Sequence, residues 1–375
     1  MRLLLINTVC GTGSTGRIAA DIAKEYEARG WDVRFAYGRG SYVPESCKKW
    51  AVRIGNTFSV QFHGVMTRIF DFHANGICSR FATKKFLRWA EGWKPDLIWL
   101  HNLHGYYINY ELLFEWIKLH PDIEVKWTLH DCWAFTGHCC HFLMSKCNLW
   151  KDGCSKSCPE RNRYPASFLF ANAKYNWERK KQAFCGVRNL SLITPSKWLA
   201  GLTRTSFLNE YPIRVLNNSV DKTIFKPTPS DFRERFGLHG KIIILGVATD
   251  WDRSKGFNDF IELRNILGDE YSIVLVGMSR KQIDSLPLGV VGIQRTSSPV
   301  ELAKIYSAAD WFFNPTHEDT YPTVNLEAQG CGCKVVTYDV GGSAETVEDY
   351  DKAWVLRGVD MSPNGFRAIL RRYHG

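Results

Sequence analysis

The chain has 375 residues, 45% hydrophobic and 23% charged, a globular composition with room for two ordinary domains and no disorder signal. Its 48 Lys and Arg against 38 Asp and Glu give a formal charge of +10, which favours anionic partners: nucleotide phosphates, nucleic acid or an anionic membrane surface. No run of 18 apolar residues could span a bilayer, and with neither zinc-finger spacing nor an RNP aromatic motif, nucleic acid is not expected as a partner.

Met1-Arg2-Leu3-Leu4-Leu5-Ile6-Asn7 is too short an apolar run for a signal peptide and reads as a first strand, so cytoplasmic residence is the expectation. Apolar runs then alternate with helix-length segments, the pattern of parallel α/β sheets. Strands are predicted at Arg2–Asn7, Asp32–Tyr37, Asp96–His101, Glu124–His130, Leu190–Thr194 and Ile213–Leu216. Within this series, Thr57–Lys94 mixes Phe58, Phe62, Phe70, Phe72, Phe81, Phe86, Trp89 and Trp93 with Arg68, Arg80, Lys84, Lys85 and Arg88. It is expected to be an amphipathic helix pair docked on its own domain. A membrane-facing or lipid-acceptor surface is the alternative. The Pro-rich stretch Phe225–Ser230 suits an interdomain linker. A second strand series is predicted at Lys241–Val247, Ser272–Gly277, Val290–Ile293, Trp311–Asn314, Lys334–Tyr338 and Ala353–Leu356. The expected fold is α/β, with two doubly wound Rossmann-like domains, 1–226 and 227–375, facing a cleft, the second ending in a helix. Ligands in such sheets sit beyond the carboxyl ends of strands.

Gly11-Thr12-Gly13-Ser14-Thr15-Gly16 follows the first strand and opens a helix, matching the dinucleotide fingerprint G-x-G-x-x-G. A NAD site also wants an acid ending the second strand. Here that strand runs into Tyr37-Gly38-Arg39, so a tight turn lining a cleft is the better reading, with NADP left open through Arg39.

The most informative run is Asn314-Pro315-Thr316-His317-Glu318-Asp319-Thr320-Tyr321-Pro322-Thr323-Val324-Asn325-Leu326-Glu327-Ala328. Pro322 suits a first helical position, with Thr320 or Tyr321 near the cap. Asp319 then precedes a helix N-terminus and Glu327 lies about a turn inside it. Exposed amides there suit a phosphate, and a carboxylate suits sugar hydroxyls.

This run resembles the E-x7-E region of family 4 retaining glycosyltransferases of GT-B fold, with Asp319 in the first acidic position and Glu327 in the second. The resemblance implies that the first acid contacts the transferred sugar and that Glu327 holds the nucleotide ribose. Asp319 is one methylene shorter than the family's Glu, and neighbouring Glu318 is the alternative first acid. Further resemblances fall in the family's order along the chain. Lys255, in Asp250-Trp251-Asp252-Arg253-Ser254-Lys255-Gly256, matches the cation that meets the diphosphate, with Arg253 a second. His130, in Thr128-Leu129-His130-Asp131, matches the strand-end histidine that bonds the donor sugar. Gly13 and Gly16 match the N-terminal loop facing the donor, and Gly341-Gly342-Ser343-Ala344-Glu345 the late glycine turn. Asp250-x-Asp252 also reads as the metal-binding D-x-D of the other major transferase fold, which would not explain two strand series.

Six cysteines fall between residues 132 and 158, with His138 and His141 among them. Reduced thiols are the leading reading in a cytosolic chain. A structural zinc or iron–sulfur site at Cys139, Cys147, Cys154 and Cys158, or disulfides, stay open. The resemblance implies a structural role for a Cys-rich insertion at about 132–160, capping the acceptor side. His101 and His104 end another strand and are read as acceptor-positioning residues.

The resulting expectation is a retaining transferase that moves a sugar from a nucleotide-diphosphate sugar to a glycan or lipid-linked acceptor in bacterial surface polysaccharide synthesis. It would need no cofactor for catalysis and would touch the inner membrane peripherally. An NAD(P)-dependent oxidoreductase and a non-catalytic basic binding protein are the alternatives.

Overall fold

The computed structural model describes residues 1–71, 79–156 and 158–374. Phe72 of the aromatic segment lies outside the described residues. The chain divides into two units, Met1–Asn217 and Asn218–Gly375.

The N-terminal unit is built on a seven-stranded parallel sheet: β1 Arg2–Asn7, β2 Asp32–Tyr37, β3 Ala51–Arg53, β4 Leu97–Leu100, β5 Glu124–Thr128, β6 Leu190–Thr194 and β7 Ile213–Val215. Their order is β3-β2-β1-β4-β5-β6-β7. The C-terminal sheet has six parallel strands: β8 Ile242–Val247, β9 Tyr271–Val276, β10 Val290–Ile293, β11 Trp311–Asn314, β12 Lys334–Tyr338 and β13 Ala353–Leu356, in the order β10-β9-β8-β11-β12-β13. Both orders reverse direction after the first strand laid down, the arrangement that doubly wound sheets use to open a crevice at their carboxyl edge.

The continuous apolar runs are explained by burial on both faces. Leu4 and Ile6 enter one core cluster while Leu3 and Leu5 enter another. Ile243 and Leu245 are divided from Ile244 in the same way. Every strand predicted from the sequence is present. The edge strand Ala51–Arg53, which pairs with β2, was not foreseen, because three residues carry no readable period.

Two expectations are corrected. Phe225 is not in a linker: its ring is 5% exposed in the core of the C-terminal unit, and the Thr228 N–H donates to Ser307 Oγ at 3.0 Å. The boundary therefore falls ahead of 226/227. Of the two helices in the aromatic segment, Arg80–Trp93 buries Ala82, Phe86, Leu87 and Ala90 as expected. Thr57–Phe70 does not; it buries His63, Gly64 and Thr67 and turns Phe58 outward. No helix among the described residues is long and apolar enough to cross a membrane.

Candidate functional site

In the C-terminal unit, β8 and β11 lie side by side, with Trp311 in register with Ile244. The loops leaving their carboxyl ends are tied together. Asp252 Oδ1 accepts from Ser254 N–H at 2.8 Å, Ser254 Oγ at 2.6 Å and Lys255 N–H at 3.1 Å, closing the short turn Arg253–Lys255. With this oxygen committed to the turn, Asp252 serves as an Asx cap. Gly256 follows at φ +72°, where a Cβ would stand 2.4 Å from the Pro315 carbonyl oxygen, so only glycine lets the loops approach. The His317 N–H donates to the Ser254 carbonyl at 2.8 Å and Thr316 Oγ1 does so at 3.2 Å.

This zipper brings Lys255 Nζ to 2.8 Å from Asp319 Oδ2, while Asp319 Oδ1 accepts the Tyr321 N–H at 3.2 Å. The late glycine turn closes on the same acid: Gly342 N–H donates to the Asp319 carbonyl at 3.2 Å, and a Cβ on Gly341 would stand 1.9 Å from that oxygen. Lys255 and Asp319 keep side-chain exposures of 36% and 23%, so both remain reachable by a ligand. Glu318 is 1% exposed and faces the interior. Of the two neighbouring acids, the accessible one is Asp319. Arg253 is exposed on the same turn as Lys255.

The helix after this loop runs Thr323–Gly330, with Pro322 at its N-cap rather than at its first helical position. A prolyl ring has no N–H to offer and its φ of −67° suits either position, so the shift is one residue and the amides from Thr323 onward open the helix. Thr320, Tyr321 and Pro322 are buried in the approach. Glu327 is 4% exposed and accepts the Tyr306 hydroxyl at 3.1 Å. Burial, and then the Glu327 charge beside it, hold the Tyr306 phenol well above its ordinary range, so it is the donor. Buried amides fix the helix to its neighbours: Asn314 Nδ2 donates to Asn325 Oδ1 at 2.9 Å, and Asn325 Nδ2 to Thr346 Oγ1 at 2.8 Å. Tyr306, Asn325 and Thr346 were missed from the sequence. Their polarity gave no hint that they face inward.

The N-terminal unit gathers a second set of predicted residues at the carboxyl ends of β4 and β5. His101 Nδ1 lies 2.9 Å from His130 Nε2, the rings stacked at 16°. Burial drives both imidazoles down, His130 to about 4, so the pair is neutral near pH 7. His101 Nε2 is buried without a hydrogen-bond partner. The single proton of His101 therefore belongs on Nδ1, donating to His130. His104 Nε2 is 2.8 Å from Asp131 Oδ2, and Asp131 Oδ1 accepts the Trp133 N–H at 2.8 Å. Burial alone would raise the Asp131 pKa, but the His104 charge and hydrogen bond hold it below the usual range. The glycine loop is bound to this corner: Thr8 Oγ1 donates to the His104 carbonyl at 2.6 Å, and a Cβ on Gly105 would stand 2.6 Å from Thr8. Gly13 (φ +64°) begins the helix Gly13–Ala28 with open space where a side chain would be, and Gly16 packs on Val9 within it.

Cys139, Cys147, Cys154 and Cys158 are free thiols. The Cys139 hydrogen bond lowers Cys158 to about 7 against the opposing effect of burial, and burial raises Cys154 to about 11 although it accepts the Gly137 N–H at 3.2 Å. Among the described residues, the three potential ligand atoms that converge within 4.8 Å of one another belong instead to His104, Asp131 and Cys140. No spacing in the sequence points to that trio.

Two parallel-sheet units of doubly wound order are the architecture of the GT-B fold. Sucrose-phosphate synthase from Thermosynechococcus elongatus superposes over 99% of this chain and 90% of its own, with a TM-score of 0.68 at 16% identity. HepE from Anabaena, solved with UDP-glucose, covers 99% of this chain and 89% of its own, with a TM-score of 0.61 at 16% identity. At the sequence level, the putative colanic acid biosynthesis glycosyl transferase WcaC of Escherichia coli K12 is 25% identical over 93% of this chain and 85% of its own. Residues 230–363 match the family described as glycosyl transferases group 1. The chain thus carries a glycosyl transferases group 1 domain, and it is a glycosyltransferase of GT-B fold.

Proposed function

We propose that this glycosyltransferase takes its sugar from a nucleotide-diphosphate donor, held by the C-terminal unit, and passes it with retained anomeric configuration to a glycan or lipid-linked acceptor of a bacterial surface polysaccharide. The observation that carries the donor reading is the accessible Lys255–Asp319 pair at the carboxyl ends of β8 and β11, beside the opening of the helix Thr323–Gly330. Lys255, with Arg253 on the same turn and the amides from Thr323, supplies donors where charge develops on the leaving diphosphate, usually the largest catalytic contribution. Asp319 accepts hydroxyls of the transferred sugar, and Glu327, oriented by Tyr306, those of the ribose. His130, its Nε2 engaged by His101, bonds the donor sugar. His101 acts through His130, and His104, aligned by Asp131, positions the acceptor. As the anomeric carbon gains oxocarbenium character, the acceptor hydroxyl attacks from the departing side and a leaving phosphate oxygen takes its proton.

The similarity to WcaC, a putative colanic acid biosynthesis glycosyl transferase, and the UDP-glucose bound to HepE support the acceptor class and the donor class respectively. A thermal-shift screen of UDP-, GDP-, ADP- and TDP-sugars tests the reading. One nucleotide series should raise Tm in the native protein and lose that shift in Lys255→Ala; no shift with any donor would refute it.

A further inference from the structure

His317 stands two residues before Asp319 in the acid loop, and its N–H already ties that loop to the lysine turn through the Ser254 carbonyl. Its side chain makes a second tie. His317 Nε2 lies 3.0 Å from Asp259 Oδ2, with side-chain exposures of 35% and 15%. Asp259 sits in the first turn of the helix Phe257–Ile266, whose positive end favours its carboxylate. The other oxygen, Oδ1, accepts the Tyr338 hydroxyl at 2.7 Å from the end of β12. Tyr338 is fully buried. Burial, and then the Asp259 charge, push its phenol up, so it is the donor and it fixes the carboxylate. The Tyr338 and His317 rings also meet edge to face, with centroids 5.7 Å apart.

Accepting at both oxygens, Asp259 brackets three elements: its own helix, the strand β12 and the acid loop. The residues it braces adjoin the reacting groups. Lys255 Nζ reaches Asp319 Oδ2 at 2.8 Å and the Glu318 carbonyl at 3.4 Å, both on residues that directly follow His317. The helix that carries Asp259 begins two residues after Lys255. The bracket thus joins the two loops from which the Lys255–Asp319 pair is made, and alignment of this kind is costly to lose in group transfer. We propose that His317 is a positioning residue of the transfer reaction: braced on Asp259, which Tyr338 holds, it sets where Lys255 stands relative to Asp319. The inference rests on the reading that Lys255 meets the donor diphosphate. His317 acts through that lysine and needs no contact of its own with the donor.

A double-mutant cycle, read by calorimetric titration of UDP into the full chain, tests this. His317→Ala should weaken UDP roughly three- to tenfold in the native background and less than about twofold in Lys255→Ala, because the effect passes through the lysine. His317→Gln, whose amide N–H can still donate to Asp259, should stay within about twofold of the native chain. A general loosening of the fold would instead weaken UDP equally in both backgrounds and would not be reversed by Gln. Should His317→Ala unfold, Tyr338→Phe, which keeps the ring and removes its bond to Asp259, takes its place in the cycle with an expected loss of roughly two- to fivefold. Equal losses in the two backgrounds, failure of His317→Gln to restore affinity, or native affinity in His317→Ala while Lys255→Ala binds weakly would each overturn the positioning role and leave the donor reading standing. Native affinity in Lys255→Ala would overturn the donor reading, and the positioning role with it.

Discussion

Lowering the pH from 7 to 4 charges a histidine of the unfolded chain near its ordinary pKa of about 6.5, whereas His130 in the folded N-terminal unit stays neutral down to about 4. Between those values the unfolded chain holds more protons, so stability is full above pH 6.5 and falls as pH falls toward 4. Neutrality held from about 6.5 down to about 4 is worth about 3 kcal/mol at most, and for a half-buried residue about 1–3 kcal/mol is expected. The cause is local. Protonating His130 Nε2 would point one N–H at another, and His101 cannot take the proton instead because its Nε2 has no acceptor. Hydrogen exchange of peptides covering Leu97–Leu100 and Glu124–Thr128, followed in urea at pH 7, 5 and 4, reports opening of these two strands. The native chain should lose about 1–3 kcal/mol more than His130→Gln over that window. Parallel loss in both proteins would refute the neutral-pair reasoning.

Three further outcomes follow from the C-terminal unit. Gly341→Ala places a Cβ against the Asp319 carbonyl and should cost about 1–3 kcal/mol in urea unfolding, whereas Gly358→Ala, also at positive φ but in open space, should cost less. Asn325→Ala strands the Asn314 amide, while the Thr346 hydroxyl keeps its bond to the Ser343 carbonyl, and should lower stability by roughly 1–3 kcal/mol. Asp319→Ala should reduce sugar transfer yet tighten UDP binding up to about fivefold, because it frees Lys255 from a half-exposed ion pair. Competition binding separates the two effects.

The sheets were legible because their strands are uninterrupted apolar runs bounded by turn residues. Trp311–Asn314 and Lys334–Tyr338 stand where they were predicted. The acid loop was legible through its spacing, and Lys255 and Asp319 do meet. What escaped was whatever depends on direction rather than on composition. The arc of Phe58, Phe62 and Val65 has the period of a core face, but period alone cannot say which side of a helix is packed. Phe225 precedes two prolines and looked like linker, yet its ring fills the second core. The His101–His130 contact required knowing that β4 and β5 are neighbours, since the two residues lie far apart in the chain. The bonds that join Asn314, Asn325 and Thr346 show only when the Thr346 turn is laid beside the strand and helix. The sequence left a metal at the clustered cysteines open, and it gave no sign that ligand atoms of His104, Asp131 and Cys140 lie within 4.8 Å of one another.

Calorimetric titration of UDP into the native chain, Lys255→Ala and Leu288→Ala bears most directly on a donor diphosphate held at Lys255. Leu288, 97% exposed on the same unit, serves as the control. A lost charge-assisted hydrogen bond of about 1.5–3 kcal/mol should weaken UDP roughly 10- to 100-fold in Lys255→Ala and leave Leu288→Ala unchanged. Equal affinity in all three proteins would contradict the account.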